Sequence, residues 1–202
     1  LNAEFARALE DTCAVDLIGT REVSAAQIRE RYGIELTRAR CVTIPVSPGF
    51  LAGAELFDPN LIAPPRQNDF EAVSVASTPY DIFINGSMIP HVAPRSPVSV
   101  FFCHFPDSDR QGYFFVPDYD LRIANSAYTA EHMARQWGLS ADLIIYPPVR
   151  AGSQAVSKED IILSVARFEP GGTKRQKEMI AAFSRLCGEN KDNVASWQLY
   201  LV

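Results

Sequence analysis

The sequence predicts an α/β protein built on a doubly wound parallel sheet, and three observations lead there. Short apolar runs recur along the 202 residues, each followed by a stretch with helical spacing. The runs are continuously apolar, as in Val100-Phe101-Phe102-Cys103, which suits parallel strands covered on both faces. Fourteen prolines and eleven glycines mark many short connections and argue against long uninterrupted helices. Strand–helix alternation then gives one doubly wound domain over residues 1–149 and the opening strand–helix–strand of a second over 150–202.

The first element is a helix, with Leu1, Phe5, Ala8 and Leu9 on one face and Glu4, Arg7, Glu10 and Asp11 on the other. Ala14-Val15-Asp16-Leu17-Ile18 reads as a short buried strand closed by Gly19. Ser24 caps a helix of about eight residues that stops at Gly33. Cys41-Val42-Thr43-Ile44-Pro45-Val46 is the next strand. Residues 47–66, with Pro48, Pro59, Pro64 and Pro65, read as an irregular connection, and a helix is expected over about 68–77. Strands follow at Asp81-Ile82-Phe83-Ile84-Asn85-Gly86 and Val98–His104, then at Leu121–Asn125. Ser126 caps a helix that carries Ala130, Met133, Ala134 and Trp137 and ends at Gly138. After the strand Leu143–Tyr146, the stiff turn from Pro147-Pro148 to Ser153 is the best domain boundary. Ile161–Val165 opens a new strand, and Met179, Ile180, Phe183, Leu186 and Cys187 mark the apolar face of a helix over 173–187. Because Leu1 falls inside the helical pattern and Val202 inside a strand-like run, a segment of a longer protein is expected.

Composition limits the function classes. With 47% hydrophobic and 21% charged residues the chain is globular. Nineteen basic against 24 acidic residues, a net charge of −5, give no electrostatic footprint for nucleic acid or anionic lipid. Cys13, Cys41, Cys103 and Cys187 stand far apart in apolar surroundings, as reduced, buried thiols do. His91, His104 and His132 show no metal-ligand spacing, so no metal is expected. No run reaches the roughly 18 apolar residues of a spanning helix, and a cytoplasmic location is expected.

Candidate chemistry concentrates at two places. Val165-Ala166-Arg167-Phe168-Glu169-Pro170-Gly171-Gly172-Thr173-Lys174-Arg175-Gln176-Lys177 joins a strand to a helix, and its cations crowd the helix N-terminus, where the partial positive charge disfavours them. A phosphate or diphosphate would explain this: the amides of Gly171 and Gly172, the dipole, Arg167 and Lys174 would converge on it. Arg175 and Lys177 read more readily as a solvated helix face. The second place is the carboxyl edge of the strands, where open α/β sheets bind ligands. His104 lies there, either as a hydrogen-bond donor to a sugar or phosphate oxygen or as a core histidine held by backbone. Asn85, Gly86, Ser87, Asn125 and Ser126 occupy equivalent strand ends, as ligand contacts or as turn and capping residues. Asp107, Asp109, Asp118 and Asp120 read as solvated, and Tyr113-Phe114-Phe115 as core or as a lid.

The segments His91–Pro106 with Cys-His-Phe-Pro, Ile123–His132, Tyr146-Pro147-Pro148-Val149 and Ile162–Phe168, in this order and spacing, resemble the retaining glycosyltransferases of family 4. That resemblance implies the GT-B architecture, two Rossmann-like domains facing across a cleft, with a nucleotide-sugar donor and a glycan, polysaccharide or lipid-linked acceptor. It makes Arg167 and Lys174 the basic pair on the donor diphosphate, with Arg175 as the alternative to Lys174. It makes His104 a contact to the transferred sugar, and Asn85, Gly86, Asn125 and Ser126 acceptor or sugar contacts. It requires no cofactor and no metal, and a lipid-linked acceptor would bring the intact protein to a membrane surface. The family's first strand and glycine-rich loop would precede Leu1, and its nucleotide pocket would follow Val202. The alternatives are a non-catalytic α/β ligand- or partner-binding module and a phosphosugar epimerase of the same architecture.

Overall fold

The computed structural model describes residues 2–44, 68, 70–87, 89–106, 113–149, 157–166, 168, 174–189 and 196–202. The chain forms two compact units, Leu1–Val149 and Arg150–Val202. In the first, helix α1 (Asn2–Leu9) leads to strand β1 (Asp16–Gly19), helix α2 (Ala25–Tyr32) and strand β2 (Arg40–Thr43). Helix α3 (Glu71–Ala76), strand β3 (Ile82–Asn85) and strand β4 (Val98–Cys103) follow. A turn of 3-10 helix at Val116–Asp118, strand β5 (Leu121–Ala124), helix α4 (Ala127–Trp137) and strand β6 (Leu143–Ile144) complete it.

All strand pairings among the described residues are parallel. β1 pairs with β2, and β3-β4-β5-β6 form a four-stranded sheet, a mixed α/β arrangement consistent with a Rossmann-like fold. The caps explain where the helices begin and end. Ser24 accepts from the Gln27 amide while the Gln27 side chain accepts from the Ser24 amide, a reciprocal box, and Gly33 ends the helix in the left-handed region at φ 63°. Ser126 and Gly138 (φ 67°) bound α4 likewise. The expected strand residues Pro45 and Val46, the 47–66 connection and Leu1 lie outside the described residues.

The two faces of the four-stranded sheet differ. Phe101 and Cys103 of β4 are fully buried with Met133, Trp137, Val116 and Phe70. Phe101 stacks edge-on against both Trp137 and Tyr119. Burying each such side chain contributes about 1.5–3 kcal/mol, so this layer anchors the unit. On the other face Phe102, Val100 and Ile123 pack against Phe5 of α1, with the Phe5 and Phe102 ring centroids 5.1 Å apart. Cover is incomplete there: Ile82, Ile84 and Val98 are exposed. The continuous apolar runs led us to expect cover on both faces, and among the described residues only α1 supplies it on this one.

Two further expectations are corrected. Glu10, placed on the wet face of α1, is only 6% exposed. Its Oε2 accepts the amides of Thr37, Arg38 and Ala39 at 2.8–3.0 Å and its Oε1 the Thr37 hydroxyl, so the carboxylate replaces water with a ring of donors. Cys13, read as buried, is exposed because it falls in the turn after α1 and outside β1; Cys41 and Cys187 are half-buried, and only Cys103 is fully buried.

The second unit contains strand β7 (Ile161–Ser164), helix α5 (Gln176–Glu189) and strand β8 (Gln198–Leu201), with β7 parallel to β8. α5 starts at Gln176 and not at 173: Arg175 has φ 53°, a left-handed backbone that cannot belong to the helix. No residue of α5 is buried: on its apolar face Met179, Phe183 and Cys187 are partly covered, while Ile180 and Leu186 are exposed.

Candidate functional site

The carboxyl edge of β3, β4 and β5 gathers a connected polar cluster. β4 ends at Cys103, and His104 is the first residue beyond it. Its half-buried ring places Nε2 3.2 Å from the carbonyl oxygen of Gly86, at the end of β3. A carbonyl only accepts, so Nε2 carries the proton in the neutral ring and Nδ1 is left as an acceptor. Nδ1 has no hydrogen-bond partner among the described residues. The neutral ring can therefore accept a hydrogen bond from a ligand hydroxyl, whereas the sequence suggested a donor.

The backbone of His104 is fixed from β5. Asn125 Nδ2 donates to the His104 carbonyl at 3.0 Å, and Thr129 Oγ1 lies 3.3 Å from the same oxygen. Ser126 Oγ accepts the Thr129 amide as the cap of α4 and also contacts Asn125 Oδ1. Asn125 and Ser126 thus act on His104 and on the helix start.

Asn85 works from the other side. Only 3% exposed, it donates from Nδ2 to the Ile89 carbonyl and the Tyr119 hydroxyl, and its Oδ1 accepts from the Ser87 hydroxyl at 2.8 Å. The Tyr119 hydroxyl in turn donates to the Val92 carbonyl at 2.8 Å. Burial pushes the Tyr119 phenol well above its ordinary range. Asn85 and Tyr119 together fold the segment after β3 over the sheet edge and so fix the Gly86 carbonyl that His104 meets. A Cβ at Gly86 would meet the carboxamide of Asn2, the end of an exposed side chain that can turn aside.

Tyr119 and Thr129 were not singled out in the sequence. Thr129, three residues after the cap Ser126, carried a spacing signal; Tyr119, 34 residues from Asn85, carried none. Phe114 packs into the core against Trp137, with centroids 5.3 Å apart, while Tyr113 and Phe115 stack on each other. A concavity of about 570 Å³ lies at the carboxyl ends of β1 and β2, lined by Glu22, Val23, Ser24, Ala25, Cys41 and Thr43, and does not include His104.

In the second unit Lys174 is exposed and immediately precedes the left-handed Arg175, whose carbonyl accepts the first helical amide of α5, from Met179. Arg167, Gly171 and Gly172 lie outside the described residues, as do Asp107 and Asp109. Among the described residues no group of three or more His, Cys, Asp or Glu is placed to hold a metal, and no helix is long and apolar enough to cross a membrane.

The chain matches no family model, no curated protein and no solved structure.

Proposed function

We propose that the intact protein is a retaining GT-B glycosyltransferase that moves a hexose from a nucleoside-diphosphate sugar to a glycan, polysaccharide or lipid-linked acceptor. The observation that carries this is His104, held by Gly86, Asn125 and Thr129 at the carboxyl edge of a parallel sheet with an imidazole nitrogen left to accept. The family resemblance of the four segments named above supports it independently. In this proposal His104 orients a hydroxyl of the transferred sugar, and Arg167 and Lys174 stabilise the charge that develops on the departing diphosphate. Stabilisation of leaving-group charge is the main electrostatic task, because the donor phosphate itself takes the acceptor proton. The protein need supply neither nucleophile nor metal for that step.

The test is nucleoside-diphosphate release from a panel of nucleotide sugars by the protein extended at both ends. Arg167→Ala or Lys174→Ala should weaken nucleoside-diphosphate binding by about 1.5–3 kcal/mol, as for a charge-assisted hydrogen bond. Unchanged calorimetric affinity in both variants overturns the donor assignment.

A second possibility has one observation in its favour. Among the described residues the side-chain hydrogen bonds of Asn85, Asn125 and His104 go to other groups of the same edge, as in a non-catalytic α/β binding module that keeps these residues for architecture. His104→Ala separates the two: the enzyme loses kcat more than it gains KM, whereas the module loses only stability.

A further inference from the structure

The His104 ring has two contacts of different kinds. Nε2 donates to the Gly86 carbonyl, and the ring lies against that of Phe102, with centroids 5.1 Å apart and planes inclined by 50°. A hydrogen bond through one nitrogen fixes a point and an axis, and an imidazole held only there can still swivel about that axis. The direction of the Nδ1 lone pair, which lies in the ring plane, would then stay open. An aromatic neighbour removes that freedom, because its packing fixes the plane of the ring.

Phe102 is itself firmly placed. It is fully buried in β4, and alternation along the strand puts Val100, Phe102 and then His104 on one side of the sheet, the side that α1 covers. There the rings of Phe5 and Phe102 meet edge to face, with centroids 5.1 Å apart and planes at 65°. That arrangement brings the positive edge of one ring to the negative face of the other. Phe102 is thus the middle of a row of three rings, Phe5, Phe102 and His104.

α1 carries Phe5 and is held at both of its ends. Asn2, its first residue, lies beside Gly86, whose carbonyl His104 meets. Directly after its last residue, Glu10 is enclosed by the amides of Thr37, Arg38 and Ala39 at 2.8–3.0 Å. The helix cannot slide along the sheet without giving up those bonds, so Phe5 keeps its place on Phe102.

We infer that Phe5 and Phe102 are positioning residues for His104: α1 seats Phe5 on Phe102, and Phe102 fixes the plane of the imidazole, so that Nδ1 has one direction in which to accept. A donor hydroxyl must approach along that direction, since hydrogen bonds weaken steeply away from linearity. Packing behind a functional group is what holds it in productive geometry. The use of this aim in catalysis rests on the proposed role of His104 towards a hydroxyl of the transferred sugar; the aim of the ring does not.

Two measurements separate the two. In the 202-residue chain, carbon-13 relaxation of the His104 Cε1–H bond gives an order parameter, which should lie in the range of rigid groups, about 0.85. Phe102→Leu removes the ring against His104, and Phe5→Leu removes the ring behind Phe102 while keeping an apolar side chain on α1. The first should bring the order parameter to about 0.6 or below, the second to a value in between. Val100→Ala, in the same cluster, loosens this face without removing a ring and should leave the parent value. Phe5 is only half-buried, so its variant carries the test if Phe102→Leu does not fold. A parent-like order parameter in Phe5→Leu, or an equal fall in Val100→Ala, overturns the inference. In the protein extended at both ends, Phe5→Leu should lower kcat/KM for the nucleotide sugar by about tenfold and leave the affinity for nucleoside diphosphate alone unchanged. A lowered order parameter with unchanged turnover overturns the sugar contact and upholds the aim of the ring; lowered turnover with a parent-like order parameter overturns the aim.

Discussion

Tyr119→Phe isolates one buried hydroxyl from the packing around it. The ring stays, and with it the edge-on contact to Phe101 at 5.3 Å and the tilted one to Phe83 at 6.5 Å. What goes is the donor to the Val92 carbonyl and the acceptor for Asn85 Nδ2, both in a region where Tyr119 is 2% and Val92 1% exposed. Asn85 keeps its bond to the Ile89 carbonyl, so it loses one of two donor contacts. A buried group left unsatisfied costs about 1–3 kcal/mol, and with partial relaxation the two together should destabilise the first unit by about 2–4 kcal/mol. With a urea m-value of roughly 2 kcal/mol/M, the unfolding midpoint should fall by about 1–2 M. The assay is Trp137 fluorescence in a Trp197→Phe background, because Trp137 is buried in this unit and Trp197 belongs to the other. Tyr128→Phe, on an exposed ring, serves as the control and should stay within about 0.5 kcal/mol of the parent. Alkali gives a second check. A phenol raised in the folded state stabilises below its ordinary pKa of 10.0 and loses that contribution as pH rises beyond it, so the parent should weaken above pH 10 more steeply than Tyr119→Phe. A midpoint within error of the parent would mean that the Asn85–Tyr119–Val92 chain does not hold the segment after β3.

Acid unfolding should depend on Glu10. Its pKa is lowered from 4.5, chiefly by the Arg38 and Ala39 amides, so its contribution is intact above pH 4.5 and lost as the pH falls below that value; a Glu10→Gln chain should be less stable at pH 7 and show a flatter acid limb in circular dichroism. Thiol labelling at pH 8 should modify exposed Cys13 quickly and leave Cys103 untouched until the first unit unfolds, because burial pushes the Cys103 thiol up to about 12; early mass-spectrometric modification of Cys103 would contradict the burial of β4.

Local signals placed the elements well. Ser24 with Gly33, and Ser126 with Gly138, bracket α2 and α4 because capping chemistry depends on residues within a few positions of each other. Where a non-local partner decides, the sequence misleads. Glu10 has the spacing of a solvated helix residue, and only the arrival of the Thr37–Ala39 amides makes a buried carboxylate tolerable there. Arg175 shows the reverse case: nothing in a run of cations marks a left-handed backbone, yet that one angle moves the start of α5.

The same division runs through the candidate site. Strand ends were legible, so His104, Gly86, Asn85 and Asn125 could be nominated from apolar runs that stop at a polar residue. Their hydrogen-bond directions were not, because those follow from register. β3 and β4 align Asn85 with Phe101, and β4 and β5 align Cys103 with Ala124. That alignment brings the Gly86 carbonyl within reach of the His104 ring and the Asn125 amide within reach of the His104 carbonyl. A shift of one residue in either pairing would turn alternate side chains to the opposite face of the sheet. The proton on Nε2, and with it the acceptor character of Nδ1, is thus set by two strand registers and by the Asn85–Tyr119 clamp on the segment after β3. If His104 acts on a sugar hydroxyl, Tyr119→Phe should impair it without touching substrate: in the protein extended at both ends KM and kcat should worsen while Lys174-dependent diphosphate binding stays unchanged. A variant that weakens both equally would place the clamp's effect on the fold as a whole and not on the orientation of His104.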